Sequence, residues 1–187
     1  SLEESNRQEI EKQLQLKIID WETVVEISTA HYVFPAMYCN LKRVDFLHYL
    51  PQELLNFMEH ITNLNRERNQ QIITQAKDLN TLLLKNNITP IFLKGTGNLL
   101  AGIYEDIAER MVGDIDFIFL KDDYPKAISI LRENGYSEVE KYAYYIPEEK
   151  HYRRLKKENN IAAIEIHKEI LIEKYINEFN YSFVEKD

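Results

Sequence analysis

Two aspartates, Asp114 and Asp116, stand in the segment GDIDFIFL, and their spacing suits metal chemistry. Alternate side chains of a strand point to the same face, so both carboxylates can enter one pocket while Ile115 and Phe117 face the other way. Carboxylates in this arrangement can bridge two hard cations such as Mg²⁺ about 3.5–4 Å apart, the separation used in two-metal phosphoryl transfer. The pattern therefore favours a metal site at the start of a strand.

A third carboxylate, Glu165, lies in the apolar run IAAIEIH, where Ala163, Glu165 and His167 share one strand face. A glutamate in a central strand is costly unless it is paired or bound to a metal. We predict that Asp114, Asp116 and Glu165 are catalytic metal ligands. In the alternative interpretation no metal is bound: Asp114 caps a turn, Asp116 is solvated at a strand end, and Glu165 forms an ion pair on an exposed face. His167 fits either a ligand or a hydrogen-bonded core histidine.

A phosphate-binding turn is predicted where the first strand meets its helix, at Lys94, Gly95 and Thr96. A helix N-terminus offers unpaired N–H groups, and a glycine there allows close approach of a phosphate. Arg110, just before GDID, can hold a phosphate oxygen in a bidentate grip. The sequence KGTG does not match a Walker A loop. The same residues also fit a turn that needs small side chains and, for Arg110, an ion pair with a nearby acid.

The basic segment KHYRRLKK at 150–157 is predicted to form a solvated hairpin. Strand alternation divides its charges between two faces, and exposed strands often carry Lys and Arg as protection against unwanted pairing. We therefore assign it no chemical role.

Composition excludes several classes of partner. The chain carries 31 acidic and 23 basic residues, a formal charge of -8, which argues against general attraction to nucleic acid or to an anionic lipid surface. No apolar run approaches the roughly 20 residues that span a bilayer. The one cysteine, Cys39, cannot form an internal disulfide, so cytoplasmic localisation is predicted. We also expect the natural chain to continue beyond Asp187.

Hydrophobic periodicity divides the chain into an all-helical region over 1–87 and an α+β core over 88–187. The predicted helices cover 6–31, 36–44, 52–60, 61–85, 96–104, 123–134 and 169–179. The predicted strands cover 90–94, 115–120, 138–146, 151–157 and 161–167.

An ordered set of motifs resembles the uncharacterised nucleotidyltransferase family of the DNA polymerase β-like superfamily. The set is LKG at 93–95, R..GDIDFI at 110–118, NGY at 134–136 and IEIH at 164–167. The resemblance covers about 90–170, and the helices before it are similar to the helical lead-in of that family.

The resemblance implies a mixed β-sheet backed by helices, and a two-Mg²⁺ transfer of a nucleoside monophosphate from an NTP such as ATP. The acceptor would be a hydroxyl or a phosphate. By position, Asp114 and Asp116 would hold the metals, and Glu165 would complete the triad and activate the acceptor oxygen. Gly95 and Thr96 stand where the superfamily has a pair that cups the triphosphate. The sequence departs from the superfamily pattern in two ways. The gap between Gly95 and Asp114 is longer than in many members, and Lys94 precedes the glycine where an apolar residue is more usual.

Two other functions fit the same residues. One is a catalytically inactive nucleotide-binding or regulatory protein of the same fold. The other is a metal-dependent nuclease, which is disfavoured by the negative net charge and by His167, which stands where one nuclease class has a lysine. The sequence does not indicate which acceptor is used.

Overall fold

The computed structural model describes residues 4–139, 151–170 and 181. The chain divides into two compact units: Ser1–Glu67 with Tyr104–Met111, and Arg68–Ile103 with Val112–Asp187. The division into a helical region over 1–87 and a core over 88–187 remains a proposal.

The first unit starts with three separate helices, α1 (Glu4–Gln15), α2 (Trp21–Ala30) and α3 (Phe34–Arg43). The prediction of one helix over 6–31 is therefore wrong. Lys17 has a φ of 54°, in the left-handed region common just past a helix end. The Asp20 side chain then accepts a hydrogen bond from the Thr23 N–H at 3.2 Å and caps α2.

Helix α4 (Gln52–Lys85) is continuous where two helices, over 52–60 and 61–85, were predicted. Pro51 precedes it, and no proline or glycine interrupts it, so nothing in its sequence breaks the helical hydrogen bonds. The boundary between the two units falls within α4. The buried core of the first unit consists of Phe34, Tyr38, Cys39, Leu50, Met58 and Ala108.

The second unit contains a five-stranded mixed sheet with the strand order β1-β2-β5-β4-β3. The strands are β1 (Ile91–Phe92), β2 (Ile115–Ile118), β3 (Tyr136–Glu138), β4 (Leu155–Lys157) and β5 (Ile164–His167). The β2–β5 pair is parallel, and the other pairs are antiparallel. The predicted α+β class with a mixed sheet is confirmed.

Two helices connect strands of this sheet, α5 (Lys94–Leu100) and α6 (Tyr124–Glu133). Gly135 follows α6 with a φ of +87°, the left-handed conformation that glycine adopts at little cost. This confirms the predicted end of the helix at Asn134 and Gly135. Tyr124 of α6 donates its hydroxyl to the carbonyl of Ile166 at 3.0 Å, which attaches the helix to β5.

The observed strands are shorter than predicted. The predicted strand over 138–146 overlaps β3 at one residue and lies outside the described residues from 140 onwards. From 171 onwards the predicted helix over 169–179 is also outside them, and residues 169 and 170 are not helical. None of the helices in the described part of the chain has both the length and the apolar character needed to cross a membrane.

Candidate active site

Strands β1, β2 and β5 form the floor of the candidate active site. The N–H of Leu93 donates to the carbonyl of Asp116, and the N–H of Ile115 donates to the carbonyl of Ala163, both at 2.9 Å. These bonds hold β2 from both of its edges. Asp116 lies within β2, and Asp114 lies one residue before it, so the sheet positions both aspartates.

Glu165 is the register partner of Asp116 across the parallel β2–β5 pair. Partners in adjacent strands project their side chains to the same face of a sheet. The Asp116 side chain is 10% exposed and that of Glu165 is 20% exposed. The structure therefore places these two predicted ligands side by side, with limited access to solvent.

Asp116 accepts hydrogen bonds from two side chains. Its Oδ1 lies 2.6 Å from Nζ of Lys94 and 2.8 Å from Nε2 of His167. Burial alone would raise the pKa of Asp116, but these hydrogen bonds outweigh it and hold the pKa below its usual value. Asp116 is therefore an ionised, buried carboxylate rather than a solvated residue at a strand end. Since a carboxylate only accepts, His167 donates from Nε2.

Asp114 contacts the guanidinium of Arg154. Burial raises the pKa of Asp114 to about 6, and the negative charges of Glu165 and Asp116 act in the same direction. The positive charges of Lys94 and Arg68 act in the opposite direction without restoring the usual pKa.

Helix α5 contacts the aspartate segment through Thr96. The buried Thr96 hydroxyl donates to the carbonyl of Asp114 at 3.0 Å, so this predicted phosphate-binding side chain is bound to backbone. Gly95 is also buried in the first turn of α5. Lys94 has a φ of 51°, a left-handed conformation that is uncommon for a residue with a side chain. Its 52% exposed side chain reaches Asp116.

Gly97 allows α5 to pack closely on β1. A Cβ atom at this position would lie 2.6 Å from the carbonyl oxygen of Phe92, which is closer than van der Waals contact allows. A side chain at position 97 is therefore incompatible with the present spacing between α5 and β1.

Comparison with protein-family models matches residues 17–185 to a family described as uncharacterised nucleotidyltransferase. The chain belongs to this family. The match confirms the resemblance drawn from the sequence motifs, and it extends beyond 90–170 in both directions. No curated protein and no solved structure matches the chain. Membership of the nucleotidyltransferase family supports transfer of a nucleoside monophosphate as the general reaction and a nucleotide as a substrate.

The donor set of this member of the family suits divalent cations. Carboxylate oxygens are the ligands that Mg²⁺ prefers, and the side chains of Asp116 and Glu165 project from neighbouring strands to one face. Burial is the main reason for the raised pKa of Asp114, and the negative charges of Glu165 and Asp116 add to it. A divalent cation would offset those charges, so the residues present fit the metal chemistry that nucleotidyltransferases generally use.

Arg110 lies in the first unit, whereas the acids and α5 belong to the second. Its side chain is exposed. Among the acids near Arg110 in the sequence, Asp106 pairs with Arg66 and Glu109 pairs with Arg43, each at 2.6 Å. A phosphate contact by Arg110 remains a prediction.

Arg154 and His151 lie in the segment 150–157, for which the sequence predicts a solvated hairpin. The Arg154 side chain is 28% exposed and contacts Asp114, and its neighbour Leu155 is fully buried. The buried leucine in the middle of KHYRRLKK was a signal that one face of this segment packs inwards.

Arg68 is a further site residue that sequence reasoning missed. From α4, it donates to the carbonyls of Val112 at 3.3 Å and Gly113 at 3.1 Å. These bonds hold the loop that leads into Asp114. No sequence signal distinguishes Arg68 from the other charged residues of α4, because only the packing of α4 brings it to this loop.

Proposed function

We propose that this member of the nucleotidyltransferase family transfers a nucleoside monophosphate from an NTP to an acceptor, with Asp114, Asp116 and Glu165 holding two Mg²⁺ ions. The observation that carries the proposal is the register pairing of Asp116 with Glu165. This pairing sets acids from two separate strands on one face, in a chain that belongs to the family. An acidic cluster of this kind is the arrangement that two-metal phosphoryl transfer requires.

The reaction forms one bond to the α-phosphorus and breaks another. The acceptor hydroxyl oxygen attacks the α-phosphorus and gives its proton to Glu165. The bond from the α-phosphorus to the oxygen bridging to the β-phosphate breaks, and pyrophosphate leaves. Mg²⁺, when bound, would neutralise the negative charge that develops on the phosphoryl oxygens.

Lys94, Gly95 and Thr96 are proposed to bind the triphosphate. The Lys94 side chain is half exposed, and its ammonium group forms an ion pair with Asp116. When cations neutralise the acids, the ammonium group can move to a phosphate oxygen. Gly95 and Thr96 contribute through the backbone of the first turn of α5. Thr96 also fixes the Asp114 backbone through its hydroxyl.

Thermal unfolding of the whole chain tests the proposed site. Mg²⁺ together with one of the four common NTPs is expected to raise the midpoint more than either alone, because ligands of the native state stabilise it. Asp116→Asn is expected to remove this joint effect. Asp122→Asn is the matched control, because it makes the same change at an exposed position. Absence of Mg²⁺-dependent nucleotide binding by the wild type would contradict the proposal.

Product analysis then separates the candidate functions. The protein is incubated with Mg²⁺, an NTP and a mixture of possible acceptors: protein, tRNA, sugar phosphate and small amines or alcohols. Release of pyrophosphate supports transfer. Nucleotide binding without release in any mixture supports the inactive or regulatory alternative. Cleavage of labelled single- or double-stranded DNA would indicate the nuclease.

A further inference from the structure

Two histidines that the proposed reaction does not use, His151 and His167, lie beside Glu165. One ring nitrogen each of His151 and His167 and one carboxylate oxygen of Glu165 lie within 4.8 Å of one another. The two imidazole rings are in edge contact, with centroids 4.2 Å apart and planes inclined at 62°. The group therefore offers two nitrogen donors and one oxygen donor to a common point.

The backbone positions all three residues. Glu165 and His167 are two residues apart on β5, so their side chains project to the same face. His151 forms an isolated antiparallel bridge with His167, which brings it beside the strand. The three donors thus come from one strand and from a residue bridged to it.

His167 has a buried ring nitrogen that the described residues leave without a partner. Its side chain is 2% exposed, and Nε2 donates to Asp116. A neutral imidazole with its proton on Nε2 carries a lone pair on Nδ1. Among the described residues, this Nδ1 is buried and has no hydrogen-bond partner. A carboxylate bound to one nitrogen of a histidine, with the other nitrogen available, is the arrangement that orients metal-binding histidines.

We infer that His151, Glu165 and His167 bind a transition-metal dication, with Zn²⁺ as the ion that fits best. Two histidines and one glutamate, with the fourth position open to water or a ligand oxygen, form an established zinc donor set. Imidazole donors disfavour Mg²⁺, which prefers oxygen ligands and keeps several waters. This inference does not depend on nucleotidyl transfer, although the two sites share Glu165.

The three donor atoms, which lie within 4.8 Å of one another, must move closer together to hold one ion. Donor atoms around a tetrahedral Zn²⁺ lie about 3.3 Å apart, since Zn–N bonds are about 2.0–2.1 Å. Asp116 fixes His167, whereas His151 and Glu165 are only partly buried and can turn towards it. Nε of Arg154 lies 3.9 Å from Oε1 of Glu165, and a bound Zn²⁺ would compete with this ion pair.

Direct binding of Zn²⁺ to the metal-free whole chain tests the site. Equilibrium dialysis with Zn²⁺ and without Mg²⁺, which would compete for the shared Glu165, is expected to show Zn²⁺ binding that depends on His151. His151→Ala is expected to weaken binding by at least about 10–100-fold, since loss of a direct ligand should cost no less than loss of an outer partner. His60→Ala is the matched control, because it removes an exposed imidazole from α4, and it should bind Zn²⁺ like the wild type.

Spectroscopy of the wild type gives an answer that does not depend on a variant. Bound Co²⁺ should show the intense visible bands of a four-coordinate ion with imidazole ligands. A weak spectrum typical of six oxygen ligands overturns the inference, as does equal Zn²⁺ affinity in the wild type and a folded His151→Ala. Should that variant unfold, His151→Gln replaces it.

The two proposals fail separately. The joint effect of Mg²⁺ and NTP on thermal stability is measured on the same preparation. Absence of Zn²⁺ binding with that effect intact overturns only the histidine site. Zn²⁺ binding without Mg²⁺-dependent nucleotide binding supports the histidine site and contradicts the proposed transfer.

Discussion

Asp116 and Glu165 occupy equivalent positions on two parallel strands, and the register of β2 on β5 sets them directly beside one another. Their proximity follows from backbone pairing and does not depend on the conformation of a loop. A slip of one residue in that register would send one of the two carboxylates to the opposite face of the sheet.

Glu165→Gln tests the proposed role of this pairing in catalysis. The amide cannot take the acceptor proton and is a weaker ligand for a dication, so we expect transfer to fall by about 10²–10⁴-fold. Pyrophosphate release under single-turnover conditions measures this. Glu158→Gln, an exposed site after β4, is the control and should retain wild-type activity. Retention of activity by Glu165→Gln would remove Glu165 from the mechanism.

The raised pKa of Asp114 predicts a pH-dependent stability of the metal-free protein. Because its pKa is about 6 when folded and 3.8 in the unfolded reference, ionisation of Asp114 destabilises the folded chain. This destabilisation is absent below pH 3.8, grows as the pH rises to about 6, and is constant above that. Asp114→Asn should therefore be more stable than the wild type at pH 8, by about 1–3 kcal/mol.

Urea unfolding with a chelator present, at pH 8 and at pH 4, measures this difference. The gain from Asp114→Asn should be much smaller at pH 4, where both proteins are largely neutral at this position. Asp122→Asn, which changes an exposed carboxylate, should show little change at either pH. An Asp114→Asn variant that is less stable than the wild type at pH 8 would show that Arg154 outweighs the repulsion.

Much of the candidate site follows from the sequence, because strand alternation has a period of two. That period alone places Asp114 with Asp116, and Glu165 with His167, on common faces. The pairing of β2 with β5 is a long-range contact that no local pattern encodes, so the motif order was needed to predict that these acids meet. No role was predicted for Arg154 and His151, because the charged residues around them indicate an exposed hairpin. The apolar Leu155 between those charges was the indication that one face of the segment is buried.

Helix boundaries were predicted less well, for local reasons. The apolar stripe of the first segment continues in phase from α1 into α2, and this concealed the break between them. Asp20, three residues before Thr23, was the capping signal that marks the second start. For α4 the error was the opposite one: two helices were predicted where the chain forms one, although the helix contains no proline or glycine.

Gly97→Ala tests the close approach of α5 to β1. The added Cβ would lie 2.6 Å from a backbone oxygen, so α5 must shift, and we expect a loss of about 1–3 kcal/mol in the free energy of unfolding. Gly113→Ala is a matched control, because nothing lies within 4 Å of a Cβ at that position. Urea unfolding compares the two, and equal stabilities would show that α5 adjusts without cost.

Cys39 should be almost unreactive in the native protein. Burial raises the pKa of its thiol to about 11, and the charges of Asp106 and Glu109 act in the same direction. Since only the thiolate reacts, alkylation at pH 8 should be slow until the first unit opens. Mass spectrometry follows the labelling of this one cysteine with and without urea. Rapid labelling without urea would contradict the burial of Cys39.

The parallel pairing of β2 with β5 also bears on how the protein is made. During synthesis β2 leaves the ribosome long before β5, and the intervening chain must be complete before the two can join. Closing such a long loop is an unfavourable, late step in folding. A nascent chain that ends before Ile164 contains Asp114 and Asp116 but lacks Glu165. Ribosome-bound intermediates of that length should therefore be inactive.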